Sequence, residues 1–402
     1  MGDSKLERVY ARILSEHLES NRQMAFVSGP RQVGKTTVST ARSDYYFDWD
    51  NANHRDLLLA GPSSIAADCS LERAREAIPT VAFDEIHKYG KWKDFLKGFF
   101  DTYGEICRTI VTGSSRLDIF RRGGDSLMGR YFVYRMHPIG VAELGCIENL
   151  DAIIREPTRI REEDFAALWK FGGFPEPFLR RDVRFVRRWK KLRTQQLFKE
   201  DIRELTGVRE LSQMETLGRL LATRSGEQVR YSGLARDLRI DDKTARSWVS
   251  ILVSLHYGFL LTPWFRNVSR SLRKEPKWYL RDWSDIDDAG KRCETFVACH
   301  LLKAVEGWTD LGLGDFELRY LRDKEKREVD FVVARDGDPW FLAEVKQSDA
   351  RLSPNLGYFQ KALGCPHAFQ IVMDLEYENV DCFSRSDPVV VPARTFLSQL
   401  SV

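Results

Sequence analysis

The chain has 402 residues, enough for two or three domains. Hydrophobic residues make up 43% and charged residues 30%, a soluble globular balance, and no apolar run reaches the ~18 residues that a membrane span requires. The 62 basic and 59 acidic side chains nearly cancel, so the net charge of +3 argues for no partner, while seven scattered cysteines without a C-x-x-C pair exclude a disulfide framework and a zinc ribbon and make the cytoplasm the default compartment.

Residues 1–18 mix charges with Leu6, Val9, Ile13 and Leu14 at helical spacing, which reads as an amphipathic helix rather than a signal peptide. Short β-rich runs follow at 24–28, 45–48, 81–83 and 109–112, each bounded by turn or helix signals. Alternation of such strands with helical stretches predicts an α/β fold with a buried parallel sheet covered by helices. From about residue 164 the pattern turns to helices rich in Arg, Lys, Leu and Trp, and from about 277 strands return, clearest at 329–334 and 340–345. These shifts divide the chain into 1–155, 156–275 and 276–402.

Between the first strand and the following helix stands Gly29-Pro30-Arg31-Gln32-Val33-Gly34-Lys35-Thr36, a G-x-x-x-x-G-K-[ST] spacing continued by Thr37. Glycines let the backbone curl its N–H groups toward phosphate oxygens, Lys35 reaches the β- and γ-phosphates, and the Thr36 hydroxyl is a ligand for Mg²⁺. The strand at 81–83 delivers Asp84 and Glu85: the first is placed for Mg²⁺ and the second to polarise the attacking water. The two motifs together predict ATP and Mg²⁺ as cofactors. Ser114, after the strand at 109–112, is the candidate for a hydroxyl between water and γ-phosphate. Arg130 directly precedes the apolar-aromatic stretch 131–134, where it is a candidate finger for the nucleotide of a neighbouring copy, so that a homo-oligomeric ring or partial ring is expected. Arg116, Arg121 and Arg122 compete for that role, and a solvated arginine is the plain alternative.

The middle segment reads as a winged helix. Residues 232–238 form a short helix with Ser232 as its N-cap, Asp241-Asp242-Lys243-Thr244 opens a second helix running to about 255, and 259–263 suits a wing strand. A helix–turn–helix reading would turn Lys243 and Arg246 toward a major groove; packing against the rest of the chain is the alternative. Upstream, Arg180, Arg181, Arg184, Arg187, Arg188, Lys190, Lys191 and Arg193 crowd a stretch interleaved with Phe185 and Trp189. This is either a phosphate-tracking surface for DNA or a solvated helix face paired with acids such as Asp182 or Glu200.

The phosphate loop, the Asp84-Glu85-Ile86-His87-Lys88 stretch, Met128-Gly129-Arg130, Phe171-Gly172-Gly173-Phe174-Pro175, Asp201-Ile202-Arg203-Glu204 and Tyr279-Leu280-Arg281-Asp282 occur in an order that resembles prokaryotic AAA-superfamily ATPases with a characteristic C-terminal domain of undetermined function. Glu328-Val329-Asp330 and Glu344-Val345-Lys346 extend the resemblance over nearly the whole chain. It implies a P-loop ATPase core, a winged-helix module and an α/β restriction-endonuclease-like terminal domain. In that domain Glu344 and Lys346, two apart on one strand, share a face. With Asp330 on the preceding strand and Glu294 on an earlier helix they follow the layout of the PD-(D/E)xK nuclease fold, where carboxylates hold Mg²⁺ and the lysine orients water. The quartet is expected to converge at the edge of a mixed sheet, with 335–339 as a hairpin turn; the structural alternative ties each acid to its own base, for which Arg327 and Arg335 are available.

Three functions follow from this reading: a DNA-dependent ATPase or motor that remodels or translocates DNA, an ATP-coupled metal-dependent nuclease, and an ATP-driven switch that binds a protein partner.

Overall fold

A computed structural model describes residues 7–113, 127–145, 147, 149–205, 208, 210–264 and 275–402. Contacts group the chain into two compact units, Met1–Pro138 and Ile139–Val402, so the segments 156–275 and 276–402 fall within one of them.

In the first unit, strands β1 (Met24–Ser28), β2 (Tyr45–Asp48), β3 (Thr80–Asp84), β4 (Arg108–Thr112) and β5 (Tyr131–Arg135) form one sheet in the order β2-β3-β4-β1-β5, parallel at every pairing. A parallel ladder needs a crossover between neighbours, and the helices supply it. Because they cover both faces, β1 and β3 are buried at all five positions, which is why their sequences run continuously apolar rather than alternating. The edge strands β2 and β5 are only partly covered. Phe83 of β3 receives the rings of Phe95 and Phe99 edge-on, at 5.6 and 5.2 Å, from the helix Trp92–Tyr103. Burial of each such ring is worth roughly 1.5–3 kcal/mol. The expected amphipathic helix is present as Val9–Ser20, burying Val9, Ile13 and Leu14.

The second unit combines a helical layer with a mixed sheet. The helices Val183–Gln195, Leu211–Thr223, Tyr231–Leu238 and Asp242–Ser254 precede a two-stranded antiparallel sheet of β6 (Gly258–Leu261) and β7 (Lys277–Leu280). Asp241 caps the helix it precedes, accepting from the Thr244 N–H at 2.9 Å and its hydroxyl at 2.6 Å. Ser232 is not an N-cap: the helix begins at Tyr231, and Ser232 lies inside its first turn. Ala245, Trp248, Val249 and Leu252 form the buried face of the helix Asp242–Ser254.

The mixed sheet contains β8 (Phe316–Arg322), β9 (Glu328–Arg335), β10 (Asp338–Lys346), β11 (His367–Val372) and β12 (Val389–Pro392) in the order β12-β11-β10-β9-β8. β8, β9 and β10 are antiparallel; β10, β11 and β12 are parallel. The helix Ala289–Asp310 buries Phe296, Val297, Leu301 and Trp308. The turn between β9 and β10 falls within 335–339 as read, with Asp338 opposite Arg335. The expectation of an edge site is corrected: β10 is the central strand, because β11 and β12 add to its far side in parallel. Among the described residues no helix is long and apolar enough to cross a membrane.

Candidate functional site

The phosphate loop leaves β1 at Gly29, whose φ is 150° and whose hypothetical Cβ would lie 2.3 Å from the Met136 carbonyl oxygen. No side chain fits there. Gln32 at φ 62° and Gly34 at φ 102° complete the curl, and the helix Lys35–Ala41 starts directly after it. The Lys35 ammonium donates to the carbonyls of Gly29 and Pro30, both at 2.9 Å, so the loop is folded around its own lysine. Arg8 braces the loop: its guanidinium donates to the Val33 and His137 carbonyls at 2.6 Å each. Sequence reading missed Arg8, since nothing in its neighbourhood marks it. Arg31 is half-buried, while Gln32, Thr36 and Thr37 are exposed.

Parallel pairing sets Asp48, Asp84 and Thr112 side by side across β2, β3 and β4. Asp84 Oδ2 accepts from the Thr36 hydroxyl at 2.7 Å and from the Tyr46 phenol at 2.5 Å, and its Oδ1 accepts from the Thr112 hydroxyl. Thr36 and Asp84 therefore meet as the motifs predict. They present hard oxygen donors on adjacent atoms, a set that fits Mg²⁺. Tyr46 and Thr112 were not read from sequence. Burial, then the bond to Asp84, raises the Tyr46 phenol above its usual range. Glu85 follows with φ 52°, a left-handed conformation unusual for its residue type, and its N–H donates to the Thr112 carbonyl at 3.1 Å. Burial pushes the Glu85 carboxyl upward, against the pull of Lys35 and Lys88. Its Oε2 lies 3.6 Å from His87 Nε2 and 3.8 Å from Lys88 Nζ.

Ser114 lies outside the described residues, as do Arg116, Arg121 and Arg122. Arg130 is held on the helix Trp92–Tyr103, its Nε and Nη2 donating to the two oxygens of Asp101 at 2.7 and 3.0 Å. β1 and β5 run in register from Met24–Tyr131 to Ser28–Arg135, so Arg130 begins at the opposite end of the sheet from the phosphate loop. Five strand residues separate the two ends, about 16 Å.

In the second unit, Asp330 and Glu344 stand on the paired strands β9 and β10, where Ala343 faces Phe331. Asp330 Oδ2 accepts from the Val345 N–H at 2.8 Å. Glu344 Oε1 accepts from Lys346 at 2.9 Å. Burial, followed by the charges of Glu294 and Glu344, raises the Asp330 carboxyl well above the usual range. The structure thus gathers Glu294, Asp330, Glu344 and Lys346, and adds a residue that sequence reading missed. Lys277, only 4% exposed, brings its ammonium within 2.5 Å of Glu328, 3.1 Å of Glu294 and 3.9 Å of Asp330. Tyr279 donates to Glu294 Oε1 at 2.5 Å. The arginines named for the structural alternative pair elsewhere, Arg327 with Asp323 and Arg335 with Asp336. Among the described residues no group of three or more His, Cys, Asp or Glu side chains is arranged to hold a metal ion, and an ammonium stands among these acids, so the cluster does not fit Mg²⁺.

The basic stretch divides in two. Arg181 pairs with Asp164, Lys190 with Asp285 at 2.7 Å, and Arg193 with Asp282 at 3.4 Å while stacking 3.8 Å over Phe174. Asp182 caps its helix at Phe185 N, 2.6 Å away. Arg184, Arg187, Arg188 and Lys191 remain exposed on the face opposite Val186 and Trp189. Lys243 and Arg246 are exposed as well, Arg246 stacked 4.1 Å over Tyr231.

Residues 21–145 match the AAA domain family, residues 162–284 a domain of unknown function designated DUF8612, and residues 289–395 a domain of unknown function designated DUF4143. The AAA match contains the phosphate loop and both carboxylates, and the DUF4143 match lies behind it. Uncharacterised proteins of Mycobacterium bovis and Mycobacterium tuberculosis are each 26% identical over 399 residues, covering 94% of this chain and 82% of their own. Among solved structures, the Aeropyrum pernix ORC1 protein in complex with DNA is 13% identical, covers 68% of this chain and 88% of its own, and has a TM-score of 0.29. AMPPCP-bound DnaA from Aquifex aeolicus is 14% identical over 63% of this chain and 89% of its own, with a TM-score of 0.28.

Proposed function

We propose that the chain hydrolyses ATP and couples turnover to DNA, remodelling or translocating it. The observation that carries the hydrolytic part is the convergence of Thr36 on Asp84 beside the Lys35 loop, with Glu85 turned out of the sheet next to them. Lys35 and the loop N–H groups bind the phosphates, Thr36 and Asp84 hold Mg²⁺, and Glu85 orients and deprotonates the attacking water. Bound Mg²⁺ supplies charge neutralisation at the phosphates. A carboxyl raised by burial is a stronger proton acceptor than a solvated one, which suits Glu85 to that role. Arg130 lies too far from its own loop to serve it, and its place at the far end of the sheet suits a finger offered to another copy.

The DNA part is supported by the exposed face of Arg184, Arg187, Arg188 and Lys191, with Lys243 and Arg246 as further contacts. The same region exposes Leu179 at 58% and Leu192 at 63%, which favours a second reading, an ATP-driven switch with a protein partner. ATPase rates with and without single-stranded, duplex and branched DNA, together with binding across a salt series, separate the two. DNA coupling gives stimulated turnover and affinity that falls steeply with salt. Reversing Arg187 and Arg188 to Glu then weakens binding to all sequences and lowers the salt slope by about two. Unstimulated turnover with no salt-dependent binding moves the reading to the protein partner.

A further inference from the structure

Lys277 starts β7 in the helical part of the second unit, and its side chain ends among acids of the mixed sheet and of the helix Ala289–Asp310. One ammonium nitrogen lies within 4 Å of oxygens from Glu328, Glu294 and Asp330. A divalent cation held by these three oxygens would have to sit between them, at about 2.0–2.6 Å from each. The ammonium nitrogen lies among the same oxygens, at 2.5, 3.1 and 3.9 Å, where it would collide with such an ion. We propose that Lys277 is a built-in counter-cation standing in the place of a divalent ion, and that this pocket takes up no divalent metal while Lys277 is seated.

Charge balance supports the assignment. Four acids, Glu294, Glu328, Asp330 and Glu344, face three bases, because Arg322 pairs with Glu328 at 3.0 Å and Lys346 with Glu344 at 2.9 Å. Burial, followed by the charges of Glu294 and Glu344, raises the Asp330 carboxyl well above its usual range, which lessens the charge the three bases have to offset. Burial works against charge on Lys277, yet Glu294, Asp330 and Glu328 together outweigh it and keep the ammonium above the usual lysine range. Lys277 is also fixed at its backbone: Trp278 N–H donates to the Glu227 carbonyl at 2.9 Å and Val229 N–H to that of Pro276 at 2.8 Å, so its strand is anchored on both sides of it. The inference is independent of the ATPase reading, since none of these residues belongs to the phosphate loop or its carboxylates.

The test is Mn²⁺ binding to the full-length, nucleotide-free protein, read as loss of the free-ion electron paramagnetic resonance signal. In the wild type, any Mn²⁺ bound is unaffected by Asp330→Asn. Lys277→Met gains one Mn²⁺ per chain, bound at least about tenfold more tightly than any wild-type site, and loses it again when Asp330→Asn is added. A folded Lys277→Met protein that gains no Mn²⁺ overturns the proposal. So does a wild-type protein that releases Mn²⁺ on Asp330→Asn, and this arm decides the matter even where Lys277→Met does not fold.

Discussion

Asp84 is a buried acid and Asp330 a half-buried one, both on interior strands, and the molecule treats them in opposite ways. Asp84 is oriented by the hydroxyls of Thr36, Tyr46 and Thr112, neutral donors that fix its direction and leave its charge available to an arriving cation. Asp330 stands beside the ammonium of Lys277 and accepts a backbone N–H, so its surroundings already contain their cation. The loop lysine differs from Lys277 in the same sense. Lys35 rests on two loop carbonyls, neutral partners that phosphate oxygens can replace, whereas Lys277 is bound to charged groups that it would leave uncompensated. Donor type, more than acid type, separates a site built to receive a ligand from one that is closed on itself.

The largest effect that would break this contrast is in the loop. Lys35→Ala is expected to abolish nucleotide binding, measured with a fluorescent ATP analogue, while leaving the urea unfolding midpoint close to wild type. Retained binding would mean that the loop is a structural turn.

Next in size is Arg130→Ala, expected to lower turnover about 10³–10⁵-fold if it acts as a finger in trans. Wild-type activity per chain should then rise with protein concentration. A protein that stays monomeric in ATP at full specific activity removes the finger and leaves Arg130 as the partner of Asp101.

Glu85→Gln is expected to keep ATP binding and lose about 10²–10⁴-fold in turnover. Because burial raises the Glu85 carboxyl, its basic form is lost as pH falls through a value above the ~4.3 of an ordinary glutamate. The acidic limb of the rate profile should therefore lie above that value, and a limb at the ordinary position would show that another group limits the step.

Smallest in scale is a stability effect in the second pocket. Lys277→Met should cost about 2–3 kcal/mol in urea unfolding, less than for fully buried acids, since it strands half-buried ones. The acids raise the Lys277 ammonium, so its contribution is complete at neutral pH and fades only as pH climbs past the ordinary lysine value toward the raised one. A loss below 1 kcal/mol would place this cluster among solvated surface pairs.

The first unit was largely legible because its signals are local. Met24-Ala25-Phe26-Val27 is a continuous apolar run ending at Gly29, and covered parallel strands demand such runs, so β1 and β2 fall where they were read. The order of loop and carboxylates also brought Thr36 to Asp84. Tyr46 and Thr112 escaped because their role depends on register across three strands, which no spacing along the chain encodes. Lys277 escaped for a stronger reason: its three acids lie far along the sequence on other elements, and a lone lysine at a strand start has no pattern. The basic stretch looked uniform in sequence, yet helical geometry turns Lys190 and Arg193 toward Asp285 and Asp282 and leaves Arg187 and Arg188 outward. Ser232 has the chemistry of a cap, but the helix starts two residues earlier than it would need.

The position of Lys277 also bears on how the chain is partitioned. It belongs to the stretch 162–284 that matches one family, while Glu294, Glu328 and Asp330 belong to the stretch 289–395 that matches another. A cut between the two follows the family boundary and severs the ion cluster. The C-terminal module is therefore not portable by itself. Grafted onto another protein from residue 289 onward, it would carry acids shaped around an absent partner, and a working transplant has to bring β7 with it.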